Sequence, residues 1–227
     1  MMPLPRAVIF DLDGTLIDSR HDYAEMRRRA IEVLSEAGAP AGGPADAGPI
    51  WEIRLRGMEH LLMNGVTEER WREIDAQVTD ALNEVELKAL ENARPMPGAT
   101  ETLHYIVGKG VRIGVATRSH RAYALEALSR SRLSRFVEVL LARDDVEHPK
   151  PDPRHLLQAV AALDAEPGEA VFVGDTTTDQ STAREAGVPF IGIPRNETWA
   201  KRMEEDGYGV LLNRLGEIPP HLLKCQP

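Results

Sequence analysis

Cysteine is almost absent: in 227 residues there is one, Cys225, near the C-terminus. A single thiol cannot close an internal disulfide, so the chain has no covalent staple and suits a reducing compartment. Long apolar runs are missing too, and none approaches the roughly 20 residues that a membrane-spanning helix needs. Near the N-terminus Arg6 is followed by only four apolar residues, Ala7 to Phe10, before the acids begin at Asp11. That is not the pattern of a signal peptide, and a cytoplasmic protein is the expectation. Positive charge is in deficit, with 27 Lys and Arg against 36 Asp and Glu and a net charge of -9. The balance argues against a nucleic-acid partner or an anionic membrane surface. It does not forbid an anionic substrate, because local Arg and Lys can outweigh the global field. Internal repeats are lacking, as is low-complexity sequence beyond a Gly/Pro/Ala-rich stretch at 41–49, which reads as a loop.

What is present suffices for a packed core, with 42% hydrophobic residues beside 28% charged ones. This length fits one large domain or a core carrying a smaller insert. The run Ala7-Val8-Ile9-Phe10 is short, partly β-branched and aromatic, which predicts a buried strand. Beyond Asp18 the texture turns helical. Tyr23, Met26, Ala30, Val33, Leu34 and Ala37 recur at helical spacing over 21–37, with Gly38 as a natural stop. Ile50, Ile53, Met58, Leu61 and Leu62 then lead to Asn64-Gly65. A longer helix is predicted after Thr67, with Glu68 and Glu69 in its first turn and Trp71, Ile74, Val78, Leu82, Val85 and Ala89 in period. No strand signal falls between 19 and 94.

Pro95-Met96-Pro97-Gly98 marks a change of pattern. Helices are predicted at 99–107, 119–129, 153–163 and about 179–186. Between and after them come strands at 111–116, 136–141, 170–173, 188–193 and near 209–212. Such alternation indicates βαβ units and a parallel sheet. The expected organisation is a discontinuous α/β core, residues 1–18 and 95–227, interrupted by an all-helical subdomain at 19–94.

Asp11-Leu12-Asp13-Gly14-Thr15 follows the first strand directly. Two carboxylates one residue apart would leave the last pleat into a loop that Gly14 lets turn sharply. In open α/β sheets, ligands bind at the carboxyl ends of the strands. The stretch resembles D-x-D-G-T, the first motif of the haloacid dehalogenase-like (HAD) phosphohydrolase superfamily, although a solvated turn can have the same letters. The resemblance implies that Asp11 is the nucleophile and Asp13 the general acid/base.

Three further stretches sit where predicted strands end. Thr117-Arg118-Ser119 is similar to the second motif, a Ser or Thr ending its strand, with Thr117 at the matching position. A hydroxyl and the backbone N–H groups opening a helix can cradle a phosphate, or Thr117 or Ser119 can simply cap that helix. Arg118 departs from the Asn or other polar residue that relatives often carry, and joins the candidate substrate contacts. Lys150-Pro151-Asp152-Pro153 fits the K-P-x-P form of the third motif. An overlapping frame would put His148 in the Lys position. Lys150 is preferred because a phosphoryl group needs a permanent cation, and a His is partly neutral at pH 7. Gly174-Asp175-Thr176-Thr177-Thr178-Asp179 resembles G-D-x-x-x-D, the fourth motif, whose acids hold Mg2+. Asp179 also suits a helix start favoured by the dipole. Mg2+ takes oxygen ligands and keeps several waters, so two or three carboxylates suffice.

Four motifs in family order extend the resemblance from about Ala7 to Leu215. It implies a Rossmann-like parallel sheet with helices on both faces, and a Mg2+-dependent phosphatase acting on a small phosphorylated metabolite through an aspartyl-phosphate. The implied metal set is Asp11, Asp13 (through its backbone carbonyl), Asp175 and Asp179, with Thr117 and Lys150 on the phosphoryl oxygens. The helical insert matches the position of a C1-type cap, which points to the phosphoglycolate phosphatase-like branch. Dehalogenases lack the second Asp, so Asp13 favours phosphoryl chemistry. A sugar-phosphate mutase shares the catalytic set and stays open. A phospho-acceptor signalling module is a rival of another class, but receiver-type domains have no large helical insert after the first strand. Within the insert, Arg54-Leu55-Arg56-Gly57 lies close to where C1-capped relatives carry a substrate-specificity loop. Arg56, and less so Arg54, is a candidate for the distal end of the substrate, or both face solvent on their helix. Oligomeric state is not readable.

Overall fold

The computed structural model of the protein describes residues 4–40 and 48–224. The loop expected at 41–49 lies, apart from Gly48 and Pro49, outside them. Contacts divide the chain into two compact units, one of Met1–Ser19 with Asn92–Pro227 and one of Arg20–Glu91.

The first strand, β1 (Ala7–Phe10), is buried on both pleats. Ala7 and Ile9 join an apolar layer with Leu156, Ala159, Phe172 and Ala183, while Val8 and Phe10 on the other pleat are equally buried. A strand apolar on both faces belongs in the middle of a parallel sheet. β2 (Ile17–Asp18) follows, and then the helices of the second unit.

That unit consists of α1 (Tyr23–Glu36), α2 (Ile50–Met63) and α3 (Glu68–Ala89). Two of these helices start on a side-chain cap: Asp22 accepts from the Glu25 N–H and Thr67 from the Arg70 N–H. Met26, Ala30 and Leu34 of α1, Ile53 and Leu61 of α2, and Ile74, Val78, Leu82 and Val85 of α3 form the unit's own core. Spacings of three, four and eight residues put them on one stripe of each helix. Truncating a buried member such as Leu82 to Ala should cost ~2–5 kcal/mol.

The return segment, β3 (Arg94–Pro95), pairs antiparallel with β2, placing Asp18 opposite Arg94. This ribbon has no sequence signature, because two-residue strands cannot display a period. After it come α4 (Ala99–Gly108), β4 (Arg112–Ala116), α5 (Arg121–Arg130) and β5 (Val139–Leu141). The chain continues through α6 (Pro153–Ala162), β6 (Ala170–Gly174), α7 (Thr177–Ala186) and β7 (Phe190–Gly192). It ends with α8 (Glu197–Asp206), β8 (Val210–Leu211) and α9 (Ile218–Lys224). β5 is shorter than expected because Ser134–Phe136 forms a 3-10 turn. The last two helices lie outside the expected set, although Asn196 caps α8 by accepting the Trp199 N–H and Gly207 ends it.

The main sheet has six strands in the order β5-β4-β1-β6-β7-β8, every neighbouring pair parallel, with helices on both faces. Phe10 is level with Val115 of β4 and Val173 of β6. The loops that leave these three strands therefore start side by side. No helix among the described residues is long and apolar enough to cross a membrane.

Candidate active site

The first motif leaves β1 in extended form, the Asp11 N–H donating to the Val173 carbonyl, and then turns at Gly14 with φ +92. Only glycine fits there: a Cβ would fall 2.3 Å from Asp175 Oδ2, besides needing a left-handed backbone. The turn thus brings Asp175, at the end of β6, up against the first motif.

Lys150 is buried, and its Nζ donates to Asp11 Oδ1 at 2.7 Å and to Asp179 Oδ1 at 2.7 Å. The ammonium also stands 5.1 Å from the centre of the Phe172 ring. Asp179 Oδ2 accepts from Thr176 Oγ1 at 2.7 Å and from the Thr176 N–H at 3.1 Å, a capping box at the start of α7. So Asp179 both opens its helix and orients Lys150. Gly174 makes room for it, since a Cβ there would lie 2.4 Å from Asp179 Cβ.

Asp13 faces another set of groups. Its Oδ2 accepts from Ser119 Oγ at 2.6 Å and its Oδ1 from Tyr123 OH at 2.9 Å. Thr117, after β4, is buried and accepts the Ser119 N–H on Oγ1 at 3.0 Å. Helix α5 begins at Arg121 with His120 in the N-cap position, so neither Thr117 nor Ser119 caps it. The Arg118 carbonyl accepts from Arg143 Nη1 at 2.7 Å, and its side chain is half-buried.

Residues 8–193 match the family described as haloacid dehalogenase-like hydrolase. The chain belongs to this family. A phosphoglycolate phosphatase of Cupriavidus necator, plasmid-borne by its name, is 34% identical over 81% of this chain and 78% of that protein. The validoxylamine A 7'-phosphate phosphatase of Streptomyces hygroscopicus subsp. limoneus is 29% identical over 96% of this chain and 98% of that protein. Among solved structures, a phosphonoacetaldehyde hydrolase like protein from Oleispira antarctica gives a TM-score of 0.73 at 14% identity. It covers 99% of this chain and 94% of that one, a likeness of fold alone.

In this HAD-like hydrolase Asp11, Asp175 and Asp179 are all buried, with one ligand oxygen of each within 4.8 Å of the others. Burial first, and then Asp179 and Asp13, push Asp11 up to about 7 against the pull of Lys150. Burial, Asp11 and Asp179 likewise raise Asp175 well above the carboxylate range, although Arg195 and Lys150 oppose it. Burial alone would lower Lys150, but Asp11 and Asp179 outweigh it and keep the ammonium charged. Asp175 accepts from Thr15 Oγ1 at 3.3 Å on Oδ1. Its Oδ2 has Arg195 Nε 2.5 Å away but no aligned donor among the described residues. An acid-rich pocket with an under-donated buried oxygen, and oxygen atoms alone as ligands, fits a hard divalent cation such as Mg2+. The Asp13 carboxylate is not in this group of ligand atoms.

Several members of the site carry no motif. Tyr123, His155 and Arg195 are recognisable only through their partners, and Thr15 and Ser119, although inside the first and second motif stretches, show their contacts only here. His148, the competing frame for the lysine, sits 3.5 Å from Glu147 and is 38% exposed. Arg56 belongs to the helical unit, on α2, 4.0 Å from Glu52 and bordering an apolar cleft lined by Ile31, Leu34 and Ile53. Arg54 donates twice to Asp75 Oδ1 of α3.

Proposed function

We propose that this hydrolase cleaves small phosphate monoesters, with Asp11 as the nucleophile. The observation that carries the reading is Asp11 itself, a buried carboxylate at the end of the central strand, held at 2.7 Å by an equally buried Lys150. Asp11 Oδ attacks phosphorus as the bond to the leaving oxygen breaks, and Asp13 gives that oxygen its proton. Asp13 then takes a proton from the water that hydrolyses the aspartyl-phosphate, releasing phosphate and restoring both carboxyl groups. Lys150, the Thr117 hydroxyl and nearby main-chain N–H groups oppose charge on the phosphoryl oxygens, and Arg118 is assigned to the same anion. Asp11, Asp175 and the Asp13 carbonyl, with Asp179 beside them, would hold Mg2+. When bound, the ion neutralises charge between nucleophile and substrate.

The relatives at 34% and 29% identity are named for different phosphates, so the leaving group is left to residues outside the motifs. The inserted helices are proposed as the family's C1-type cap. Arg56 is the cation assigned to selecting the substrate, since Arg54 is engaged by Asp75. Arg56→Ala should then lower kcat/KM for the best alkyl phosphate and spare p-nitrophenyl phosphate. Equal losses on both would remove Arg56 from recognition.

Phosphate release from phosphoglycolate, a sugar phosphate and p-nitrophenyl phosphate, with and without Mg2+, tests the whole reading. Turnover that requires the metal is expected. A protein inert on every ester at saturating Mg2+ would overturn it.

A further inference from the structure

Asp13 is the group to which the proposed function gives the proton transfers, and nothing in the motif says what aims it. Two hydroxyls do. Ser119 Oγ donates to Oδ2 at 2.6 Å and Tyr123 OH to Oδ1 at 2.9 Å. Both donors are buried, Tyr123 completely. They come from one short piece of chain, the loop after β4 and the first turn of α5. Thr117 Oγ1 fixes the Ser119 end of that piece by accepting its N–H. A carboxylate with a separate donor on each oxygen has one preferred plane, which a single donor would leave free to rotate.

We infer that Ser119 and Tyr123 are positioning residues for acid catalysis, orienting Asp13 toward the leaving oxygen. The inference rests on the phosphatase reading above. In the first step the Asp13 proton moves to the ester oxygen as the P–O bond breaks, leaving a carboxylate. That carboxylate is received at once by the two hydroxyl donors, already in place, so little reorganisation accompanies the transfer. Neither hydroxyl gains or loses a proton over the cycle. The packing role of Tyr123 belongs to its ring, which Tyr123→Phe keeps.

The leaving group separates the two roles. An alkoxide must be protonated as it departs, whereas p-nitrophenolate is stable as an anion and depends little on a general acid. The measurement is kcat/KM, which reports on steps through P–O cleavage and not on later hydrolysis of the phosphoenzyme. It is made on p-nitrophenyl phosphate and on the alkyl phosphate turned over best in the panel. In Tyr123→Phe and Ser119→Ala the aryl-to-alkyl ratio should rise by ~10-fold or more over the unmodified protein. Ser119→Thr, which keeps a hydroxyl, should restore the ratio, and thermal melts should show all three variants folded. Equal loss on both esters, or an unchanged ratio, overturns the inference and assigns the hydroxyls to structure alone. If the unmodified protein hydrolyses neither ester, the phosphatase reading fails and this inference fails with it. A working enzyme with a flat ratio sinks only the inference.

Discussion

His155 Nδ1 accepts the main-chain N–H of Lys150 at 3.1 Å, and its Nε2 donates to the Leu141 carbonyl at 3.1 Å. The two partners define a neutral ring with its hydrogen on Nε2. His155 is fully buried on α6, so it ties the lysine loop to the end of β5. Burial first, and then the charge of Lys150, lowers its pKa from 6.5 to about 4. A lowered His binds its proton in the unfolded chain before it does so in the folded one. Its contribution is therefore complete above about pH 6.5 and is lost as pH falls toward 4, a term of about 3 kcal/mol. His155→Leu should remove that term and leave the Lys150 N–H without an acceptor, at ~1–3 kcal/mol. Urea unfolding of both proteins at pH 7 and pH 4.5 checks this. The buried acids titrate in both, so the difference between the two proteins isolates the His. Parallel pH dependences would refute it.

Asp11→Asn keeps the shape of the side chain and removes the proposed nucleophile. Hydrolysis should fall to background while the melting profile stays cooperative, because a buried acid raised to about 7 is not what holds the fold. Intact-protein mass after rapid quench should show a phosphorylated species for the unmodified enzyme and none for the variant. Near-normal turnover by the variant would end the covalent mechanism.

Lys150 and Asp175 should fail in different ways. Lys150→Met retains most of the buried stem but removes the cation between Asp11 and Asp179. Its rate at saturating Mg2+ should drop ~100-fold or more, and stability should drop by ~3–5 kcal/mol as the acids lose their partner. Asp175→Asn should instead move the Mg2+ concentration for half-maximal rate upward. Superimposable Mg2+ curves for the two variants would contradict the division of roles.

Arg195 is expected to compete with a metal for Asp175. Its Nε lies 2.5 Å from Asp175 Oδ2, and the side chain is 35% exposed. Asp175 is buried but the guanidinium is about a third exposed and screened by solvent, so the interaction is taken as ~1 kcal/mol, and Arg195→Gln should tighten Mg2+ binding about fivefold. The readout is the Mg2+-dependent rise in melting temperature with no substrate present. Weaker binding in the variant would mean that Arg195 assists the metal instead of opposing it.

Sequence alone determined the elements whose signals are local. The apolar run before Asp11, the steady helical stripe from Trp71 to Ala89 and the strand–helix alternation after Pro95 each repeat within a few residues. They specify a parallel α/β core with a helical insert. Motif spacing placed Asp11, Thr117 and Asp175 next to strand ends for the same reason, since a loop leaving a strand is legible in a handful of letters, and the K-P-x-P letters picked out Lys150 in the turn before α6. Which groups then touch was decided only in three dimensions. Lys150 meets Asp11 across 139 residues, and Ser119 and Tyr123 reach Asp13 across 106 and 110. The β2–β3 ribbon joins two-residue strands on either side of the whole insert. Contacts at such separations leave no period in the chain. They follow from a sheet that sets the ends of β1, β4 and β6 level, and from glycines at 14 and 174 that let carboxylates approach where any Cβ would collide.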